Sequence, residues 1–210
     1  TREIGSPICL GLDPHPNLIP KLFKKNSEYL SLKNVENFLF EIIDIAKNKV
    51  VAIKPQVAFF EQWGPDGMSL LVKVSKMAQE NDILVIMDAK RGDIGSTSDA
   101  YAKAWLSKNS PFGANALTVN PWMGLETLFP FIEVAKKNKS GVFILLKTSN
   151  AGSKDIQDLL VNNRAVFLHL ADLLQKDTST NLGKFGYSDI GVVVGATQPN
   201  EAKLIRKILP

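Results

Sequence analysis

Cysteine occurs once in this 210-residue sequence, so no internal disulfide can form. Cys9 lies inside the apolar run from Pro7 to Leu12, which predicts a buried thiol rather than a nucleophile, and such usage fits a reducing cytoplasm. Histidine is almost as scarce. His15 and His169 show no metal-ligand spacing, which argues against a zinc site and leaves a Ser-His-Asp mechanism without support. No run approaches the ~18 apolar residues of a membrane span. Thr1 leads almost directly into Ile8-Cys9-Leu10, which predicts no signal peptide. The glycine-rich GxGxxG and GxxxxGK[ST] fingerprints are both missing, so the standard nucleotide-binding folds lose ground. Concentrated charge is lacking too: the net charge is only +4, and the lysines are spread through helical stretches rather than massed. That distribution favours ordinary solvation over nucleic-acid binding and remains compatible with a small anionic substrate.

What the chain does have is a 45% hydrophobic content, enough to bury one sizeable core. Short apolar runs recur at Ile8 to Leu12, Val50 to Ile53, Ile83 to Met87, Ala116 to Val119, Val142 to Leu146 and Ile190 to Val194. Between them lie helical stripes, one carrying Val35, Phe38, Leu39, Ile42, Ile43 and Ala46, another Leu70, Leu71, Val74, Met77 and Ala78. Further helices are expected near 97–108, 124–138, 162–176 and 199–208, the last with Pro199 at an early position. Consecutive strand-helix units of this kind predict an α/β fold with a parallel sheet, either open and doubly wound or closed into a barrel.

Residues 83–98, ILVIMDAKRGDIGSTS, carry the densest chemistry. A β-branched strand delivers Asp88 and Lys90, which project to one side and share a pocket if the extended backbone persists. Gly92 and Gly95 loosen the chain around Asp93, and the serines and threonine that follow suit the capping of a helix. Taken alone, the same segment also fits a solvated loop with a weak ion pair. The Arg91-Gly92-Asp93 tripeptide is too short to support a cell-adhesion reading. Other strands also end in polar residues: Asp13, Lys54, Asn120 and Lys147. In a barrel such ends face the carboxyl-terminal side, where active sites of that architecture lie, and this predicts a shared site.

These residues resemble orotidine 5'-phosphate decarboxylase. The matching pieces are Gly11-Leu12-Asp13-Pro14, Lys54-Pro55-Gln56 with Ala58-Phe59-Phe60-Glu61, and Asp88-Ala89-Lys90-Arg91-Gly92-Asp93-Ile94-Gly95. Thr118-Val119-Asn120-Pro121, Lys147-Thr148-Ser149-Asn150 and Val193-Val194-Gly195-Ala196-Thr197 complete the set, in order, along essentially the whole chain. A related sugar-phosphate group shares the Asp-x-Lys-x-x-Asp element; Lys54 in its Lys-Pro-Gln context favours the orotidylate enzyme. The resemblance implies a (β/α)8 TIM barrel in one domain over 1–210, a cytoplasmic lyase of pyrimidine biosynthesis that makes uridine 5'-phosphate and carbon dioxide, and no metal or organic cofactor. It places an alternating catalytic array on Lys54, Asp88, Lys90 and Asp93. Binding roles fall on Asp13 and Gln56 at the ribose, and on Thr148 and Ser149 at the pyrimidine edge. The resemblance also implies a homodimer, with Asp93, Ile94 and Thr97 reaching the neighbouring site. A fused or associated orotate phosphoribosyltransferase is an arrangement the family sometimes shows. Ala151 departs from the subgroup, which often has proline there.

A barrel of this kind needs eight units and typically ~250 residues, whereas the periodicity yields six. The family's last two strands supply a GxGAQG-like loop and an arginine that grip the phosphate, and neither motif is found in the sequence. Phosphate-binding residues are therefore expected beyond residue 210. A metal-dependent sugar-phosphate decarboxylase or aldolase, or a catalytically silent barrel, are the alternative readings.

Overall fold

The computed structural model describes residues 5–24, 30–180 and 182–210. The chain divides into two compact units, one formed by Thr1–Ala89 with Ala104–Leu117, the other by Lys90–Lys103 with Thr118–Pro210.

In the first unit, β1 (Cys9–Leu12) pairs in parallel with β2 (Ala52–Pro55), Gly11 lying opposite Lys54, and β2 pairs in parallel with the start of β3 (Leu84–Arg91). A short helix, α1 (Lys21–Lys24), precedes the amphipathic α2 (Leu32–Ala46). Helix α2 begins where the chain offers a capping box: Ser31 Oγ accepts the Asn34 N–H, and Asn34 Oδ1 accepts the Ser31 N–H at 3.0 Å. Its apolar stripe buries Val35, Leu39 and Ile43 as the spacing predicts. Glu36 clips α2 to α4 (Gly64–Gln79) by accepting from Lys73 at 2.8 Å, and it also accepts from Lys33 of its own helix at 2.7 Å. These two hydrogen bonds hold the Glu36 carboxyl below its ordinary pKa, so the clip's contribution is complete above the usual carboxylate range and fades on acidification. A one-turn helix, α3 (Ala58–Glu61), comes so close to α4 that a Cβ at Gly67 would fall on the Phe60 carbonyl, which is why glycine stands there.

The second unit contains most of α5 (Gly95–Leu106), the end of β4 (Ala116–Val119), α6 (Phe129–Asn138), β5 (Gly141–Lys147), α7 (Val166–Thr180), β8 (Ile190–Val194) and α8 (Pro199–Ile208). Strand β5 pairs in parallel with β8 from Val142 opposite Ile190 onward. Phe131, Ile144, Leu146, Ala171 and Leu174 form the buried layer. The expected helix over 162–176 starts later, at Val166, because β6 (Leu160–Val161) and β7 (Arg164–Ala165) close an antiparallel hairpin. Asn162 and Asn163, with φ of 50° and 59°, supply the two left-handed residues that such a turn requires. The helix expected over 124–138 is likewise divided, a 3-10 turn at Leu125–Thr127 preceding α6, whose first turn carries Pro130.

Each unit thus alternates parallel strands with helices, the α/β arrangement expected. Among the described residues no helix is long and apolar enough to cross a membrane.

Candidate active site

In the first unit the site is built at the ends of β1, β2 and β3. After Pro55 the chain turns and gives one backbone N–H to each neighbouring strand: Gln56 donates to the Leu12 carbonyl at 3.1 Å and Val57 to the Asp88 carbonyl at 3.2 Å. This double attachment fixes the side chains on either side of the turn. Lys54 Nζ donates to Asp88 Oδ2 at 2.8 Å, and Gln56 Nε2 donates to the same oxygen at 3.2 Å. Asp88 is buried, and a buried carboxylate is tolerable when charged donors meet it in this way. The Lys54 side chain keeps 35% of its surface exposed, so its ammonium bridges a buried anion and open space. Asp13 is exposed just beyond β1, its carbonyl accepting the His15 N–H at 2.7 Å, and the His15 ring sits edge-on to Phe59.

Cys9 differs from expectation. Its residue is exposed, because apolar neighbours in sequence do not decide which way a strand residue faces. Partial desolvation still raises the thiol pKa, outweighing the downward pull of Lys54, so a reactive thiolate is not what this position offers.

In the second unit lie Lys90, Asp93, Ile94, Thr97, Thr148 and Ser149. The strand expected to stop at Met87 runs on to Arg91, and within it Lys90 takes φ of 49°. The Lys90 N–H donates to Thr118 Oγ1 at 2.9 Å, and the Asn120 N–H to the Arg91 carbonyl at 2.8 Å. A Cβ at Gly92 would lie 2.9 Å from the Asn120 carbonyl, a close approach only glycine permits. Helix α5 starts at Gly95, ahead of the expected cap. The Asp93 carboxylate accepts the Ile94 N–H at 2.8 Å, and the Ser98 hydroxyl donates back to the Asp93 carbonyl. Ile94 and Thr97 are exposed.

Ser149, also exposed, sits at the end of β5 against Gly195, where a Cβ would lie 2.8 Å from that of Ser149. The neighbouring Thr148 is clamped by Gln157, whose Oε1 accepts the Thr148 N–H at 2.9 Å while its Nε2 donates to Thr148 Oγ1 at 2.9 Å. That hydroxyl donates onward to Asn150 Oδ1 at 2.7 Å. Two further polar strand ends have partners of their own within the second unit. Lys147 pairs with Asp158 at 2.6 Å, and Asn120 Oδ1 accepts the Trp122 N–H at 3.0 Å. Gln157 and Asp158 escaped the sequence reading, and Thr118 entered it only within a matching segment, with no role of its own. Thr118 left a faint signal as the one hydroxyl inside an apolar strand; the other two left none.

Residues 6–209 match the model of the orotidine 5'-phosphate decarboxylase / HUMPS family. The chain belongs to that family. It is 41% identical to the orotidine 5'-phosphate decarboxylase of Rhodopirellula baltica, over 98% of this chain and 71% of that protein. Leishmania donovani OMP decarboxylase is similar in structure, with a TM-score of 0.78 and 32% identity across 96% of this chain and 70% of the other. UMP synthase of the same organism matches with the same TM-score and identity, over 95% of this chain but 39% of that longer one. In this chain the Lys-Pro-Gln segment lies at the end of β2 and the turn after it, and the Asp-x-Lys-x-x-Asp segment on β3 and the turn after it.

Proposed function

We propose that this protein decarboxylates orotidine 5'-phosphate to uridine 5'-phosphate and carbon dioxide in cytoplasmic pyrimidine biosynthesis, without metal or organic cofactor. The observation that carries the reading is the buried Asp88 carboxylate, held by the Lys54 ammonium and the Gln56 amide in a chain of this family.

When the bond between the ring carbon and the carboxylate breaks, the electron pair stays on a carbon with no adjacent carbonyl to spread it over. A positioned cation is the direct stabiliser. Lys90 takes that role and then gives the carbon a proton from its ammonium, which water restores. Asp88 and Asp93 contribute carboxylates to the same array, and Lys54 offsets their two negative charges. Asp88 also crowds the departing carboxylate: at ~4 Å and an effective dielectric of ~20 the repulsion is roughly 4 kcal/mol, equivalent to about a thousandfold in rate if wholly relieved. Preorganised charge remains the larger part of the explanation. Asp13 and Gln56 bind the ribose, and Thr148 with Ser149 the pyrimidine edge.

The metal-dependent sugar-phosphate alternative is not favoured, because the relatives that match this chain along nearly its whole length are orotidine 5'-phosphate decarboxylases. Turnover is followed by the loss of substrate ultraviolet absorbance. It should proceed without added metal and survive chelators; no turnover, or turnover abolished by chelation, overturns the reading.

We also propose a homodimer in which Asp93, Ile94 and Thr97 complete the neighbour's site. Inactive Lys54→Ala and Asp93→Ala proteins, mixed and allowed to exchange subunits, should recover about one quarter of wild-type activity, since half the dimers would be mixed and each would hold one intact site. Mixing that restores nothing, although exchange is verified, sinks the shared-site proposal.

A further inference from the structure

We propose that Thr118 is the positioning residue for Lys90, its hydroxyl holding the lysine backbone in the left-handed conformation that aims the side chain; this rests on the decarboxylase reading above. Among the described residues, the non-glycine residues with positive φ are Asn48, Asp82, Lys90, Lys139, Asn162 and Asn163. All but Lys90 lie in turns or at a helix end, where such a conformation is ordinary. Lys90 lies inside a strand, at φ of 49°. A side chain with a Cβ resists that region, and it persists only where its surroundings impose it.

Thr118 supplies the imposing contact. It is 3% exposed, and its Oγ1 accepts the Lys90 N–H at 2.9 Å. The backbone then rejoins β4 through the Asn120 N–H and Arg91 carbonyl, at 2.8 Å, with Gly92 lying tight against Asn120. The turn from Lys90 to Gly92 is thus fastened at both ends, and its first fastening is a side-chain hydroxyl. A left-handed residue also breaks the alternation of strand side chains, so the direction in which the Lys90 stem leaves the chain depends on this φ. Without the acceptor, the part-buried Lys90 N–H loses this partner and the residue can relax towards an extended backbone, carrying the ammonium with it.

Valine and serine separate the two things threonine provides. Thr118→Val keeps the branched shape and removes the acceptor; Thr118→Ser keeps the acceptor and removes a methyl group. For displacement of a reacting group by about 1 Å, a loss on the order of a hundredfold is expected. In the full chain, Thr118→Val should therefore lose roughly 30- to 100-fold in kcat with KM changed less than about twofold, whereas Thr118→Ser should stay within about threefold of wild type. Binding of uridine 5'-phosphate, measured by calorimetry, should be the same in both variants. A Thr118→Val protein with wild-type kcat, or a Thr118→Ser protein as impaired as the valine variant, overturns the proposal, the second outcome assigning Thr118 to packing alone. Should the valine variant not fold, Thr118→Ala against Thr118→Ser puts the same question. Wild-type protein that does not turn over orotidine 5'-phosphate overturns the decarboxylase reading itself; wild-type turnover with an unaffected valine variant overturns only this inference.

Discussion

Lys90→Ala will lower turnover of orotidine 5'-phosphate by roughly a thousandfold or more, because one substitution removes both a proton donor and the cation facing the developing carbanion. Each effect alone is worth on the order of a hundredfold or more, and the two do not simply multiply, since one ammonium supplies both. Stability should barely change. Lys90 is exposed, and alanine carries the same Cβ as lysine, so the left-handed backbone at φ of 49° acquires no new steric conflict. Lys90→Arg makes the expectation sharper. It retains a positive charge but gives up a proton far less readily, so it should bind product normally while turning over almost as poorly as alanine. The measurement is kcat with matched thermal melts. Turnover within tenfold of wild type in the alanine protein would remove Lys90 from the mechanism.

Apolar periodicity made the main architecture legible: β4 and β8 occupy the residues their hydrophobic runs mark, and α8 spans the stretch that Pro199 opens. Charge was a poorer guide to boundaries. Strand β3 continues past Met87 through Asp88, Lys90 and Arg91, since a strand leaving an apolar layer can carry charged residues when its backbone groups still find partners. Hairpin β6-β7 was hidden because Asn162-Asn163 lies within a stretch that also satisfies a helical period. Within the first unit the ammonium that bonds Asp88 is that of Lys54, from a different strand, a contact that spacing within one segment cannot reveal. The family resemblance singled out both residues, but their hydrogen bond emerges only when β2 and β3 lie in register. The roles of Thr118 and Gln157 were hidden for a related reason: each acts through a backbone N–H, on Lys90 and Thr148 respectively, and backbone partners leave little trace in side-chain patterns.

Asp158→Ala should destabilise the protein by roughly 2–4 kcal/mol, which for a chain of this size is a fall in melting temperature of about 5–15 °C. The reason lies in unequal burial. The Lys147 side chain is 1% exposed while that of Asp158 is 39% exposed, and the two meet at 2.6 Å. Removing the carboxylate strands an ammonium in the interior with the Ser153 hydroxyl at 3.5 Å and the Phe167 ring at 5.6 Å, weaker company than a carboxylate. Exposure of Asp158 allows some water to reach the gap, which keeps the expected loss towards the lower part of the range for buried pairs. The converse substitution should cost less. Lys147→Met retains most of the buried stem, and the carboxylate it abandons can turn to solvent. Thermal unfolding of the two variants therefore tests an asymmetry as well as a magnitude. A methionine variant less stable than the alanine one would mean that Lys147 contributes through its packing against Phe167 and not through its charge. A loss in either variant should also be felt at Thr148 and Ser149, because Lys147 directly precedes them and Gln157, which clamps Thr148, directly precedes Asp158.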